Sequence, residues 1–441
     1  MENRVVLVYP YFREKDPVSK LFQPLGIAYL ASQLKEQSTS VNVVDCTFET
    51  MATAAARIVS LQPTIVGLSI MVSLTRSAFE LAAQLRDVLP DTLFVAGGPL
   101  PSVYPHRFFP LFDLVFQGES DLIFPRFCRD YLNAVDPAGF VNNIDVDLYP
   151  GLCINTLRGI RSCPPVHHDS LELEGLPLPD RSDYRHDLYQ QHWYASQQSR
   201  SATIMITRGC PYSCDFCSKP VWGSVFRKPA LDKIFQEIDD IMALGYDRLW
   251  IADDSFTLDL GYLQEFCRQK IHRGINIEWT CLSRTRGLDQ PSVELMKQAG
   301  CVKVFLGLES GSDSTLQLMG KQSSVQAGIE AVRLFTRAGI STAGFFIVGY
   351  PGETIEAIEQ TLALALQLPL DEISINVPLP LPGSALYARV CHLNPDDDWE
   401  RASAARFVYE SEFDQEWLQR RIAETLACFN NRKQTSINKH L

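Results

Sequence analysis

Three thiols on one short loop carry the clearest chemical potential in this chain. Cys210, Cys214 and Cys217 stand in the run Thr207-Arg-Gly-Cys-Pro-Tyr-Ser-Cys-Asp-Phe-Cys-Ser218. The apolar residues 202–206 before them read as a buried strand, so the loop leaves that strand's C-terminal end. Thiolates hold iron–sulfur clusters, usually four to a [4Fe–4S] cube. Three of them leave one iron without a protein ligand, and an open metal position points to chemistry rather than scaffolding. The competing readings are a zinc site and three buried thiols. Zinc wants a fourth Cys or His at short spacing, and this loop holds none.

The Cys-x3-Cys-x2-Cys spacing, with the aromatic Phe216 just before the last Cys, resembles the signature of the radical S-adenosylmethionine (SAM) enzymes. That resemblance implies that the open iron chelates the amino and carboxylate groups of SAM. One electron from the cluster would then cleave the sulfonium to methionine and a 5′-deoxyadenosyl radical. It also implies an external electron donor, a reductase or a flavodoxin or ferredoxin.

The elements that must position this loop can be counted along the 441 residues, a length for about two or three domains with their own cores. Hydrophobic residues at 46% and charged ones at 21% fit a soluble globular enzyme. A net charge of −12 argues against a nucleic-acid partner held through phosphates. No apolar run approaches a membrane span, and the chain opens directly on a strand with no leader pattern, so the expected location is cytoplasmic. The nine further cysteines, at 46, 128, 153, 163, 267, 281, 301, 391 and 428, form no second tight motif. Most read as small core residues, and one cluster is expected.

Residues 4 to about 130 alternate strand and helix at α/β spacing, with strands at 4–9, 41–45, 65–69 and 93–98, and 114–119 closing the series. The expected fold is a parallel doubly wound Rossmann-like sheet with a ligand beyond its C-terminal strand ends. Small residues gather there: Gly67, Ser69, Gly97, Gly98 and Gly118. The segments Gln23–Leu30, Gly67–Ser69, Gly97–Pro99 and Gln117–Ser120 resemble the cobalamin-binding domain that precedes many radical SAM cores. By that resemblance the five small residues would lie against cobalamin. The Asp-x-His-x-x-Gly signature of other cobalamin proteins is absent, and His106 lies in a Pro- and Phe-rich loop. No His is therefore expected on the lower face of cobalt. A Rossmann-like domain with no ligand, or another ligand, is the alternative.

From 133 to 198 the rhythm breaks into a linker with a hairpin around Arg158-Gly159 and a proline-rich stretch at 176–180. His167, His168 and His186 stand there without paired spacing and read as solvated. From 199 to 390 six strand–helix units are expected, with strands at 202–207, 247–252, 276–283, 302–308, 342–348 and 372–377. Six units, short of a closed eight-fold barrel, match the open partial barrel of the radical SAM family. The remainder, 391–441, reads as a helical segment over 399–431 and a frayed polar tail.

A parallel barrel presents its chemistry at the C-terminal strand ends. Asp253 and Asp254, Ser283 and Arg284, and Glu309 and Ser310 close three successive strands. By the resemblance they would meet the amino, carboxylate and ribose groups of SAM, with Phe216, Ile347 and Val348 against the adenine. For Asp254 and Glu309 a helix cap or a structural ion pair remains open. The two cofactor domains together imply methylation of an unactivated carbon in a small molecule or peptide. Cobalt would carry a methyl group from one SAM as methylcobalamin, and a second SAM would generate the radical. Cyclisation, ring contraction, dehydration or epimerisation with the same cofactors is the alternative, and a sensor without turnover is a third.

Overall fold

The computed structural model describes residues 4–15, 20–167, 170–390 and 406–437. Two compact units emerge: Met1–Gly209 with Lys219–Asp247, and Cys210–Ser218 with Arg248–Leu441.

The first unit is built on a sheet of seven strands: β1 (Arg4–Tyr9), β2 (Ser40–Asp45), β3 (Ile65–Ser69), β4 (Leu93–Gly97), β5 (Leu114–Phe116), β6 (Leu152–Thr156) and β7 (Gly159–Ser162). Their order is β2-β1-β3-β4-β5-β6-β7. The first five run parallel, and the chain reverses winding direction after β1, as in a doubly wound sheet. Alternation along β1 explains why the sheet is buried on both faces. Val5 and Leu7 join a core with helices Leu25–Glu36 and Ile123–Leu132. Val6 and Val8 join another with helices Met51–Ser60 and Thr75–Arg86.

Two expectations need correction here. Residues 114–119 do not close the sheet: β6 and β7, the expected hairpin, extend it antiparallel beside β5. The linker also contains an unforeseen helix, His186–Gln197, which buries Tyr189 and Trp193 one turn apart. His186 is not solvated. It is half-buried, with Nδ1 2.8 Å from the Tyr246 hydroxyl and Nε2 2.9 Å from the Arg181 carbonyl. Burial holds its pKa below the usual range. His167 is exposed, and His168 lies outside the described residues.

All six strands expected of the barrel exist: β8 (Ser201–Ile204), β9 (Arg248–Ile251), β10 (Glu278–Ser283), β11 (Cys301–Glu309), β12 (Ser341–Ile347) and β13 (Glu372–Asn376). Strands β9 to β13 pair in parallel in sequence order within the second unit. The expected helix at 399–431 begins only at Gln415 and runs to Ile437, so the described part of the tail is ordered helix. Asp414 starts it by accepting the Trp417 N–H at 2.6 Å. Residues 399–405 lie outside the description, and 406–414 are irregular. Leu418 and Phe407 close over Gly349, where a Cβ would approach each within 2.8 Å.

The segment carrying the three thiols is closed at its base within the first unit. Arg208 and Arg227 exchange backbone hydrogen bonds of 2.9 Å in both directions. Gly209 makes this possible, with φ at +83° and room for no Cβ beside the Val225 carbonyl. Both guanidiniums converge on Glu119, one on each carboxylate oxygen, and Arg208 also reaches Asp121 at 2.9 Å. The four side chains are buried, and their charges cancel, as burial requires. The Arg208 guanidinium further covers the Trp222 and Tyr29 rings at 4.5 and 5.0 Å. Substituting Glu119→Leu strands Arg227 without its carboxylate and should cost about 3–5 kcal/mol of stability. Denaturant unfolding of the cluster-free protein measures this; a loss well below 1 kcal/mol would contradict it.

Candidate functional site

The thiol loop is fastened at Asp215, between its second and third cysteines. The Asp215 N–H donates to the Met319 carbonyl at 2.9 Å, and its carbonyl accepts from Leu386 N–H at 2.8 Å. Its carboxylate accepts the Tyr350 hydroxyl at 2.7 Å and pairs with Arg389 at 2.7 Å. Burial and the adjacent Asp215 push the Tyr350 phenol well above its ordinary range, so it stays a donor. Tyr350 is itself placed by Glu353, which accepts the Gly349 and Tyr350 N–H groups at 2.8 and 3.0 Å. Burial raises Glu353 to about 7. Next to Met319, Gly320 also packs close to the loop, with φ at +59° and a Cβ position 3.1 Å from the Ser213 carbonyl.

Cys210 and Cys214 are half-buried and Cys217 is exposed. Cys46, Cys128, Cys153, Cys267, Cys281 and Cys301 are buried. Burial pushes the thiols of Cys153 and Cys267 to about 11 and 12. Those are core residues, inert by burial, whereas the loop thiols are reachable. Cys391 lies outside the described residues. Among the described residues no three His, Cys, Asp or Glu side chains already gather as a metal cage. The donor set nevertheless fits a thiolate-held cluster: three accessible sulfurs on a fastened loop, one of them 3.4 Å from a buried guanidinium, Arg284 Nη1.

The strand-end residues are brought together unequally. Asp253 is buried and Asp254 exposed. The Ser283 hydroxyl lies 2.6 Å from that of Thr257 and donates to the Arg284 carbonyl at 2.8 Å. Glu309 is buried in an ion pair with Lys321 at 2.6 Å. It sits at a register shift in β11 with φ at +63°, a left-handed backbone that costs about 1–3 kcal/mol. Ser310 Oγ lies 3.0 Å from Thr361 Oγ1 and accepts the Ser312 N–H at 3.1 Å. Phe216 and Ile347 pack, partly exposed, against one buried cluster of Met319, Tyr350 and Leu386. Val348 is fully buried and lines the interior.

At the first sheet's strand ends, Ser69, Gly97 and Gly98 are partly open, while Gly67 and Gly118 are buried. Their missing side chains answer to neighbours in the protein. A Cβ on Gly67 would stand 3.2 Å from Leu7, one on Gly98 (φ +101°) 2.9 Å from the Ile70 nitrogen, and one on Gly118 (φ +69°) 2.6 Å from Pro165. Only Gly97 leaves open space on that side, its nearest neighbour being 3.9 Å away. His106 is exposed on a turn, its ring 4.6 Å from that of Tyr104.

Sequence reasoning missed Tyr212, Asp215, Lys321, Tyr350 and Arg389. Asp215 had a signal, an acid placed between two cysteines. Arg389 had none, because its partner Asp215 is far along the chain, and no local pattern links Lys321 to Glu309.

The model of the Radical SAM superfamily matches residues 204–365, and that of the B12 binding domain matches residues 17–127. An uncharacterized methyltransferase of Pyrococcus horikoshii, PH0819, is 28% identical over 393 residues, 87% of this chain and 82% of the relative. The anaerobic magnesium-protoporphyrin IX monomethyl ester cyclase of Rubrivivax gelatinosus is 26% identical over 396 residues, 87% of this chain and 69% of its own. In fold the chain is like the radical SAM methyltransferase TsrM of Kitasatospora setae, solved with cobalamin and a [4Fe–4S] cluster. The TM-score is 0.71 at 20% identity, over 88% of this chain and 74% of that one. Among the described residues no helix is long and apolar enough to cross a membrane. The cofactors that go with the two domains are a [4Fe–4S] cluster, SAM and cobalamin. The chain thus carries a Radical SAM domain with a B12 binding domain ahead of it.

Proposed function

We propose that this enzyme methylates an unactivated carbon of a small molecule or peptide. The observation that carries the reading is the reachable three-thiol loop in a chain that also holds a B12-binding domain. The methyltransferase relative supports it. When bound, the cluster supplies an electron to SAM and cobalamin supplies a transferable methyl group.

What remains falls to the chain's own residues. Cys210, Cys214 and Cys217 hold the cluster, and Asp215 keeps their loop in place through Tyr350 and Arg389. Phe216 and Ile347 offer an apolar surface to the adenine, backed by Val348. Asp253, Asp254, Ser283, Glu309 and Ser310 supply polar groups toward the amino-acid and ribose parts of SAM, while Arg284, expected among them, turns its guanidinium to Cys214. Ser69, Gly97 and Gly98 border the corrinoid, with Gly67 and Gly118 shaping the backbone beneath it. We place the limits of the radical SAM domain at 198 and 390; the limit expected at 132 falls inside the first sheet, which runs on through β6 and β7 to Ser162. The reading includes a cytoplasmic setting, for which the free state of all described cysteines speaks, and a reductase, flavodoxin or ferredoxin as electron donor. The cyclase relative favours cyclisation as the second reading.

Anaerobically reconstituted Cys214→Ala protein should hold no [4Fe–4S] cluster and release no 5′-deoxyadenosine from SAM. Iron analysis and chromatography of the products check this; zinc in the wild-type site, or undiminished cleavage by the variant, would overturn it.

Because the sequence lacks the Asp-x-His-x-x-Gly signature, the bound corrinoid should show an EPR spectrum without nitrogen superhyperfine splitting from the protein. Such splitting, or failure to retain cobalamin, contradicts the corrinoid assignment.

With reductant, SAM and substrate, methylation should release S-adenosylhomocysteine and 5′-deoxyadenosine in about equal amounts, since one SAM gives the methyl group and another the radical. Deoxyadenosine alone, with product formed, would replace methylation by the cyclisation reading.

A further inference from the structure

A guanidinium buried away from any carboxylate must be answered by another anion. Arg284, at the end of β10, is 8% exposed. Its Nη2 donates to the Lys321 carbonyl at 2.9 Å, and its Nη1 lies 3.4 Å from Cys214 Sγ. Its plane covers the Tyr212 ring at 3.6 Å. Its Nε is buried without a hydrogen-bond partner. Among the described residues, the guanidinium's hydrogen-bonding partners are thus a carbonyl and a thiol. The nearby acid Glu309 is already occupied by Lys321.

We propose that Arg284 sets the reduction potential of the cluster by directing its charge and an N–H···S hydrogen bond at the Cys214 thiolate. This rests on the reading that the loop holds a [4Fe–4S] cluster. The reduced cluster carries one more negative charge than the oxidised one. A fixed cation and donor at a ligand sulfur therefore favour reduction and raise the potential. Arginine suits the position where lysine does not. Its planar fork reaches a carbonyl and a sulfur at once while its face stacks on Tyr212, and an ammonium on a flexible stem cannot do all three. The Lys321 backbone fixes the fork, and the Lys321 side chain is fixed in turn by Glu309.

The test is a potentiometric titration of the reconstituted full chain, without SAM, followed by EPR of the reduced cluster. Arg284→Gln should shift the midpoint to more negative potential, and Arg284→Lys should fall between it and the wild type. Tyr212→Leu, which removes the ring under the guanidinium, should shift it in the same direction. A merely structural role would lower the iron content and leave the potential of the remaining cluster unmoved. Wild-type potential in both Arg284 variants overturns the proposal. If Arg284→Gln binds no iron, Arg284→Lys decides, a more negative midpoint supporting the proposal and an unchanged one overturning it. Wild-type protein that assembles no cluster would instead overturn the function reading, and this proposal with it.

Discussion

A loop that exposes its cysteines to a cofactor buries little apolar surface of its own, so its conformation has to come from groups outside it. Around Cys210–Ser218 those groups are mostly ionic or hydrogen-bonding. Arg208 and Arg227 close the base on Glu119, and Asp215 takes Tyr350 and Arg389. Hydrophobic packing alone could not set such a loop, because it is non-directional and tolerates shifts that a metal ligand does not. Buried charge pairs add little net stability but strongly penalise the wrong partner. That property suits a segment that needs one geometry more than it needs depth in energy.

The same logic orders the strand ends of the second unit. Lys321 is the hub: its carbonyl fixes Arg284, its ammonium fixes Glu309, and Gly320 before it lets the turn lie against the Ser213 carbonyl. A longer side chain at 320 would push the turn off the loop, and Arg284 would lose its reach to Cys214. The left-handed backbone at Glu309 is held against its intrinsic preference by the ion pair and the register shift of β11.

What the sequence made legible was whatever depends on local pattern. The unbroken apolar run of β1 announced a strand at a sheet's centre, and the cysteine spacing announced the cluster loop. The helix His186–Gln197 escaped because only Tyr189 and Trp193 of its residues are buried among polar neighbours, too few for a clear helical period. The extension of the sheet by β6 and β7 escaped because pairing β5 with β6 joins residues far apart in the chain. His186 read as solvated for the same reason: Tyr246, which accepts or donates at its ring, is distant in sequence. Among the candidate site residues, the thiols were readable from spacing alone. Arg284 was placed at a strand end correctly, yet its attachment to Cys214 depends on the fold.

The segment Gln117–Ser120 shows how one short motif answers two demands at once. Its glycine suggests a backbone kept bare for a ligand. In the fold the bare side of Gly118 faces Pro165, and its N–H is taken by the Ser102 hydroxyl at 2.8 Å. Gln117 ties the same turn to the Ser102 carbonyl at 2.8 Å. The turn so fixed delivers Glu119, fully buried, to the two arginines at the base of the thiol loop. A shift of the turn by an ångström would cost both charge-assisted bonds, since their strength depends on distance and alignment. The motif that reads in the sequence as bare backbone for a ligand therefore also anchors the buried ion pairs of Arg208 and Arg227.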